Sequence, residues 1–211
     1  DLLERLAQLE RRGAASASSA PAGSAPAEGV ETVRPHYAFL VDASLLLAVT
    51  HDDSALARVA ELAVPVFADL CMVDLIEDGG QVHRLASAST GAIQDMFGGA
   101  LDKPGGRDYA VPPGIARVLK SGEPHLVPSA SDLTPLIRAR AAGRAAVEHE
   151  FAPLSWMIVP LQARGQVLGA ITCISVEAHH RYAAADLALA QELAQRAAIA
   201  VDRARMYREA R

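Results

Sequence analysis

Aromatic residues make up only 4% of this 211-residue chain, and tryptophan occurs once. Any pocket is therefore walled mainly by aliphatic side chains. Cysteine occurs twice, at Cys71 and Cys173. That is too few for a disulfide framework, and neither stands in the paired spacing of a zinc or redox motif. Both lie in apolar, strand-like runs, so they read as buried, reduced thiols. A basic surplus is also missing: the net charge is −5. Neutralising phosphates needs a basic face, so nucleic acid is excluded as a partner. No apolar run approaches the roughly 20 residues that cross a bilayer, and no basic-then-apolar leader opens the chain. A cytoplasmic location without membrane contact is expected. The abrupt start at Asp1 reads as a piece of a longer protein.

Half of the residues are apolar, enough for one sizeable core. Residues 1–12, "DLLERLAQLERR", place Leu2, Leu6 and Leu9 at helical spacing and read as a helix connecting from an upstream domain. Residues 13–31 are mostly Ala, Ser, Pro and Gly, a composition that cannot bury enough apolar surface to order itself, and read as a flexible linker. The globular domain is expected over 32–211. Two helices are predicted between His36 and Phe67, the second opened by a Thr50/Asp53 capping pattern and ended by Pro65. "DLCMVDLIED" and "QVHRLASAS" form a hairpin around Asp78-Gly79-Gly80. Residues 91–114 read as irregular loop. "PPGIARVLKSG" reads as a short helix with Pro113 in its first turn and Gly122 past its end, and "HLVP" as a short strand. Residues 132–150 carry a helical apolar set. The last helix repeats apolar residues at 187, 190, 194, 197, 201 and 204, with Leu189, Leu193 and Ala200 as a second stripe. One stripe can pack on a sheet while the other meets a partner helix, so a homodimer through this helix is expected.

"WMIVPLQARGQVLGAITCIS", residues 156–175, could at first sight hold a glycine loop for phosphate. It lacks the Gly-Lys-Ser/Thr of a P-loop, the three spaced glycines of a dinucleotide turn and the Gly-x-Ser-x-Gly of a nucleophile elbow. It reads instead as a hairpin, with Arg164-Gly165 in the turn and Gly169 in mid-strand, where it permits a bulge or a close backbone approach.

This hairpin, followed by Tyr182, Asp186 and a long helix, resembles the end of a GAF domain. "FLVDASLLLA", "ALARVAELAVPVFAD" and "CMVDLIEDGG" resemble that family's opening helices and first strand, and "GIARVLKSGEPHLVP" its mid-domain helix and strand. The likeness runs in order from about residue 36 to 211. It implies an α+β fold, GAF-like and related to PAS domains: a central antiparallel sheet, terminal helices on one face, and a loop and helix lid over the other. The variant is similar to GAF modules of bacterial multidomain sensor histidine kinases and related serine phosphatases. One departure is Ala183, where a Ser or Thr cap is usual ahead of Asp186.

The resemblance also bears on ligands. No cysteine occurs between Val73 and Thr172, so neither covalent bilin nor the lid-cysteine chemistry of methionine-sulfoxide-reducing GAF proteins is expected. The chain contains no asparagine, and the asparagine-containing signature of cyclic-nucleotide binders is missing. Haem stays open through His125 or His149 in the lid half, although no cofactor is assigned. His179-His180 lack the spacing for shared metal ligation, so no metal is assigned. Glu148 and Glu150 flank His149 in the alternation of a solvated helix face, and no activated nucleophile can be assembled. The segment is expected to be non-catalytic. Alternation groups Leu70, Met72 and Asp74 on one sheet face, with Cys71, Val73 and Leu75 on the other; it pairs Trp156 with Ile158, and Met157 with Val159. His83, Trp156, Met72, Asp74 and His125 are the candidate ligand-binding residues. A sensory module relaying ligand state to a histidine kinase is the leading expectation, with a ligand-free dimerisation spacer or a phosphatase regulator as alternatives.

Overall fold

A computed structural model describes residues 28–49, 54–64, 66–91, 93, 111–130, 154–176 and 181–210. The chain divides into two units, Asp1–Val33 and Arg34–Arg211. Of the first, only the opening of α1 (Glu28–Val49) is described. That helix starts within the segment expected to be linker. The expected helix over 1–12, the Thr50/Asp53 cap and the helix over 132–150 lie outside the described residues.

The second unit contains α2 (Ser54–Ala63), β1 (Leu70–Ile76), β2 (Val82–Ser89), α3 (Pro113–Ser121), β3 (His125–Ala130), β4 (Leu154–Ala163), β5 (Gln166–Ser175) and α4 (Ala184–Glu209). The five strands form one sheet in the order β2-β1-β5-β4-β3, with every pair antiparallel. Both hairpins form where turn chemistry predicts them. Gly80 and Gly165 take positive φ, and Arg164 at φ 51° is the only non-glycine among the described residues to do so. α3 runs from Pro113 to a C-cap at Gly122, whose φ of 70° lets its N–H reach the Val118 carbonyl.

Side-chain alternation splits the sheet into two faces. Cys71, Val73, Leu75, Met157, Val159, Ile171 and Cys173 pack with α1, α2 and α4 in the larger core. A bulge at Val73/Asp74 inserts an extra residue, Leu85, into β2, so that Leu85 and Ala86 both join this core. Phe39, Phe67 and Tyr182 form a chain of rings within it, with centroids 5.7 and 5.9 Å apart. Leu70, Met72, Trp156, Ile158, Ala170 and Ile174 form the opposite face, covered by Ile93 and by Ile115 and Val118 of α3. The architecture is the α+β sandwich anticipated above, and the helix layer selects the Cys71 face.

α4 lies on the sheet through Ala190, Leu193, Ala194, Ala197, Ala198, Val201 and Ala204. Leu193, expected on a second stripe, is buried with the first. Small residues at this seam bring the helix close to the strands. At its N-terminus the Asp186 carboxylate accepts the Ala183 backbone N–H at 2.8 Å. Half of a capping box therefore survives without a hydroxyl at Ala183. Tyr182 anchors the same turn: its hydroxyl donates to the Phe67 carbonyl at 2.9 Å and its N–H to Ser155 Oγ at 2.8 Å.

Cys71 and Cys173 are direct partners across β1 and β5, and both are free and buried. The hydrogen bond to Cys71, then burial, hold the Cys173 thiol well above the ordinary thiol range. Since the thiolate is the nucleophile, both are sealed by geometry and Cys173 also by protonation. With Ellman's reagent we expect the native chain to react at least about 100-fold more slowly than the denatured chain, which should titrate two thiols. Labelling of either cysteine at the denatured rate would mean that the helix layer opens freely.

Candidate functional site

The sheet face turned away from α4 carries more polar groups than its apolar register predicts. Asp74 and Arg84 are cross-strand partners and form a buried ion pair, with Nε–Oδ1 at 3.1 Å and Nη2–Oδ2 at 3.4 Å. Two hydrogen bonds in a fork suit guanidinium and carboxylate. The hairpin sets this pairing: with the turn at Asp78-Gly79-Gly80, counting back in register brings residue 74 opposite 84.

Beside the pair lies a row that crosses four strands. Met72 pairs with Thr172, Thr172 with Ile158, and Ile158 with His125. The next row runs from Leu70 through Ile174 and Trp156 to Val127. Thr172 and Trp156 are buried, yet Thr172 Oγ1, Trp156 Nε1 and His125 Nδ1 have no hydrogen-bond partner. Each buried orphan costs about 1–3 kcal/mol, so three on one face call for an explanation. The His125 ring meets the Trp156 ring edge-on, with centroids 4.9 Å apart. Burial, and secondarily the charge of Arg117, hold the His125 pKa below its ordinary value. Its imidazole is therefore neutral at neutral pH.

Of the five expected site residues, Met72, Asp74, Trp156 and His125 share this face. His83 does not. It pairs with Leu75, on the α4 side, and sits beside a cavity of about 470 Å³ bordered by Leu75, Glu77, Asp78, Arg205 and Arg208. There His83 Nδ1 lies 3.3 Å from Glu77 Oε1. Arg84 and Thr172 were not among the expected site residues. The hairpin register could have revealed Arg84 as the partner of Asp74; Thr172 is the sole hydroxyl within "AITCI" and carries no other signal.

The chemistry available on this face is hydrogen bonding and apolar contact. No cluster of three or more His, Cys, Asp or Glu among the described residues could hold a metal ion. The His125 ring stands at 89° to the Trp156 ring; His149, His179 and His180 lie outside the described residues.

α4 is fastened to both hairpins. Arg205 donates through Nη2 to the Ile76 carbonyl at the end of β1. Arg164, in the β4–β5 turn, pairs with Asp202 at 2.9 Å and reaches Met206 Sδ at 2.8 Å. On the outer side of the helix layer Arg196 Nη1 reaches Ser44 Oγ. A shallow groove there is bordered by Leu47, Ala48, Arg196, Ile199 and Arg203. Val41, Leu45, Ile199 and Met206 are exposed.

No helix among the described residues is long and apolar enough to cross a membrane. The chain matches no protein of curated function. Solved structures share its fold. Free methionine-R-sulfoxide reductase from Neisseria meningitidis, in complex with its substrate, superposes with a TM-score of 0.60 at 15% identity, covering 89% of this chain and 98% of that one. The GAF domain of A. aeolicus nlh2 in an inactive state gives 0.56 at 11%, covering 81% and 98%. The GAF domain of a sensor histidine kinase from Pseudomonas syringae pv. tomato, described there as putative, gives 0.54 at 14%, covering 87% and 98%. At such identities these likenesses speak for the fold alone. The family description for the GAF domain matches residues 50–202, more than half of the sequence, and the chain belongs to the GAF domain family.

Proposed function

We propose that this chain is a non-catalytic sensory module of a cytoplasmic signalling protein. It binds a small molecule on the Trp156 face of the sheet and passes the bound state through α4 to a histidine kinase domain. One observation carries the reading: three unpartnered polar atoms, on Thr172, Trp156 and His125, occupy the face opposite the helix that would carry the output. A ligand supplying their partners would stabilise the ligand-bound arrangement of the strands. Because α4 is tied to both hairpins through Arg205 and Arg164, a shift in strand position biases the packing of α4. Coupling of this kind needs a helix pair with two arrangements of similar energy, and the alanine-rich seam tolerates small slides. GAF domains in the likenesses above include one from a sensor histidine kinase, and a methyl-accepting chemotaxis protein shares the fold. Neither sealed cysteine reaches the ligand face, so thiol chemistry on a bound molecule is not part of this reading.

Val41, Leu45, Ile199 and Met206 give the helix layer an apolar outer stripe, and we assign it to a second copy of the chain. Light scattering after size exclusion should show a dimer that becomes monomeric in Leu45→Asp/Ile199→Asp. These positions are exposed, so the variant's fold should persist. A metabolite screen by thermal shift should yield a ligand; at 100 times its Kd it adds about 2.7 kcal/mol of stability. A dimer that no metabolite stabilises would leave only a structural spacer, and a monomeric parent chain would remove the dimer from the proposal.

A further inference from the structure

The cavity beside His83 lies apart from the Trp156 face, and the reading above leaves it without a role. It opens between the β1–β2 turn and the last turns of α4, with a volume of about 470 Å³, within the range of small-molecule sites. The ionisable residues at its border are Glu77, Asp78, His83, Arg205 and Arg208. The carboxylates come from the hairpin and the guanidiniums from the helix. Glu77 and Asp78 are exposed, whereas Arg205 is half-buried. Arg205 Nη2 donates to the Ile76 carbonyl, but no acidic side chain among the described residues pairs with Arg205. A guanidinium carries five N–H donors and suits the two oxygens of a carboxylate, so Arg205 can still take one. Arg208 donates to the Ala204 carbonyl at 3.4 Å and is engaged further; it counts here for its charge alone. His83 Nδ1 is buried without an aligned partner, although Glu77 Oε1 stands 3.3 Å away. That ring nitrogen can therefore still bond to an occupant. A simple anion in this cavity would meet the Glu77 and Asp78 carboxylates, and a simple cation would meet both arginines. A molecule carrying one charge of each sign avoids both conflicts. We propose that the cavity binds a free amino acid, its carboxylate on Arg205 and its ammonium on Glu77 and Asp78. Bound there, it bridges the β1–β2 hairpin to α4 alongside the Arg205–Ile76 contact. The cavity is thus a second effector site, placed directly on α4 and independent of any ligand on the Trp156 face.

Calorimetry on the full chain, with the proteinogenic amino acids added one at a time, tests the site. At least one should bind saturably. The best binder is then compared with two molecules of the same skeleton: the carboxylic acid that lacks the amino group, and the amine that lacks the carboxylate. Each should bind at least about tenfold more weakly, because each loses a set of charge-assisted hydrogen bonds. Arg205→Gln should weaken the amino acid at least about tenfold and leave the amine no weaker. Glu77→Gln/Asp78→Asn should weaken the amino acid to a similar extent while tightening the carboxylic acid. A merely structural role for these side chains would not produce that crossed pattern. Glu77 and Asp78 are exposed, so their variant serves as the second test if Arg205→Gln does not fold. Failure of every amino acid to bind saturably overturns the proposal. A carboxylic acid that binds as tightly as the amino acid overturns the ammonium contact, and an amine that does so overturns the carboxylate contact. Unchanged amino-acid affinity in both variants removes the site from this cavity. If Trp156, the chain's single tryptophan, then changes its emission saturably, the amino acid binds on the opposite sheet face instead.

Discussion

Replacing Asp74 with alanine should lower the unfolding free energy by about 3–5 kcal/mol, because it removes the carboxylate that the buried Arg84 guanidinium holds through two contacts. Asp74 is fully buried and the Arg84 side chain is only 8% exposed, so water offers little compensation. Domains of this size are stable by only about 5–15 kcal/mol, and the variant should approach unfolding at physiological temperature. The complementary change separates the pair's value from the cost of breaking it. Asp74→Leu/Arg84→Met removes both charges and should lose far less than Asp74→Ala, since exchanging a buried pair for apolar side chains is often neutral. Urea denaturation of the single and double variants checks both statements. A loss below about 1 kcal/mol for Asp74→Ala would show that the pair is solvated in practice.

The same pair shows what the sequence made legible and what it did not. Turn residues fixed both hairpins, because Gly80 and Gly165 occupy backbone conformations that other residues resist. Pro113 and Gly122 marked the two ends of α3 in the same way. Period-two alternation correctly separated Met72 and Asp74 from Cys71 and Val73, and Trp156 from Met157. It could not choose the helix side, because apolar residues fill both faces of β1 and β5. That choice depends on how α4 returns to the sheet, a long-range contact with no local signature. His83 and Trp156 stand on opposite faces, and the sequence identified the strand of each without saying so. Thr172 was missed because a hydroxyl inside an apolar run reads as a tolerated core threonine, and only its lack of a partner sets it apart. The aromatic cluster of Phe39, Phe67 and Tyr182 likewise joins residues more than a hundred positions apart.

Gly169→Ala should cost about 3 kcal/mol, the upper end for overpacking, although it adds a single methyl group. A Cβ at Gly169 would lie 2.3 Å from the Asp74 carbonyl oxygen, 2.8 Å from Leu75 Cδ2 and 3.1 Å from Leu75 Cα. The Leu75 side chain could turn aside, but the carbonyl oxygen and Cα belong to the neighbouring strand and move only if β1 and β5 separate. Leu75→Ala should therefore fail to rescue Gly169→Ala, which distinguishes a backbone clash from a crowded side chain. Gly91, with nothing within 4 Å of its added Cβ, provides the control and should accept alanine within about 0.5 kcal/mol. The displaced carbonyl belongs to Asp74, so widening the strands also strains the ion pair, and Gly169→Ala and Asp74→Ala should combine less than additively. A Gly169→Ala loss below about 1 kcal/mol in urea denaturation would mean that the strands separate easily at this point. Close contact here ties the Trp156 face to the hairpin that grips α4, since one residue along β1 from Asp74 stands Leu75 in the helix-side core. In the proposed relay, a rigid crossing at Gly169 would let a change at the Thr172 row reach α4 instead of dissipating between two strands.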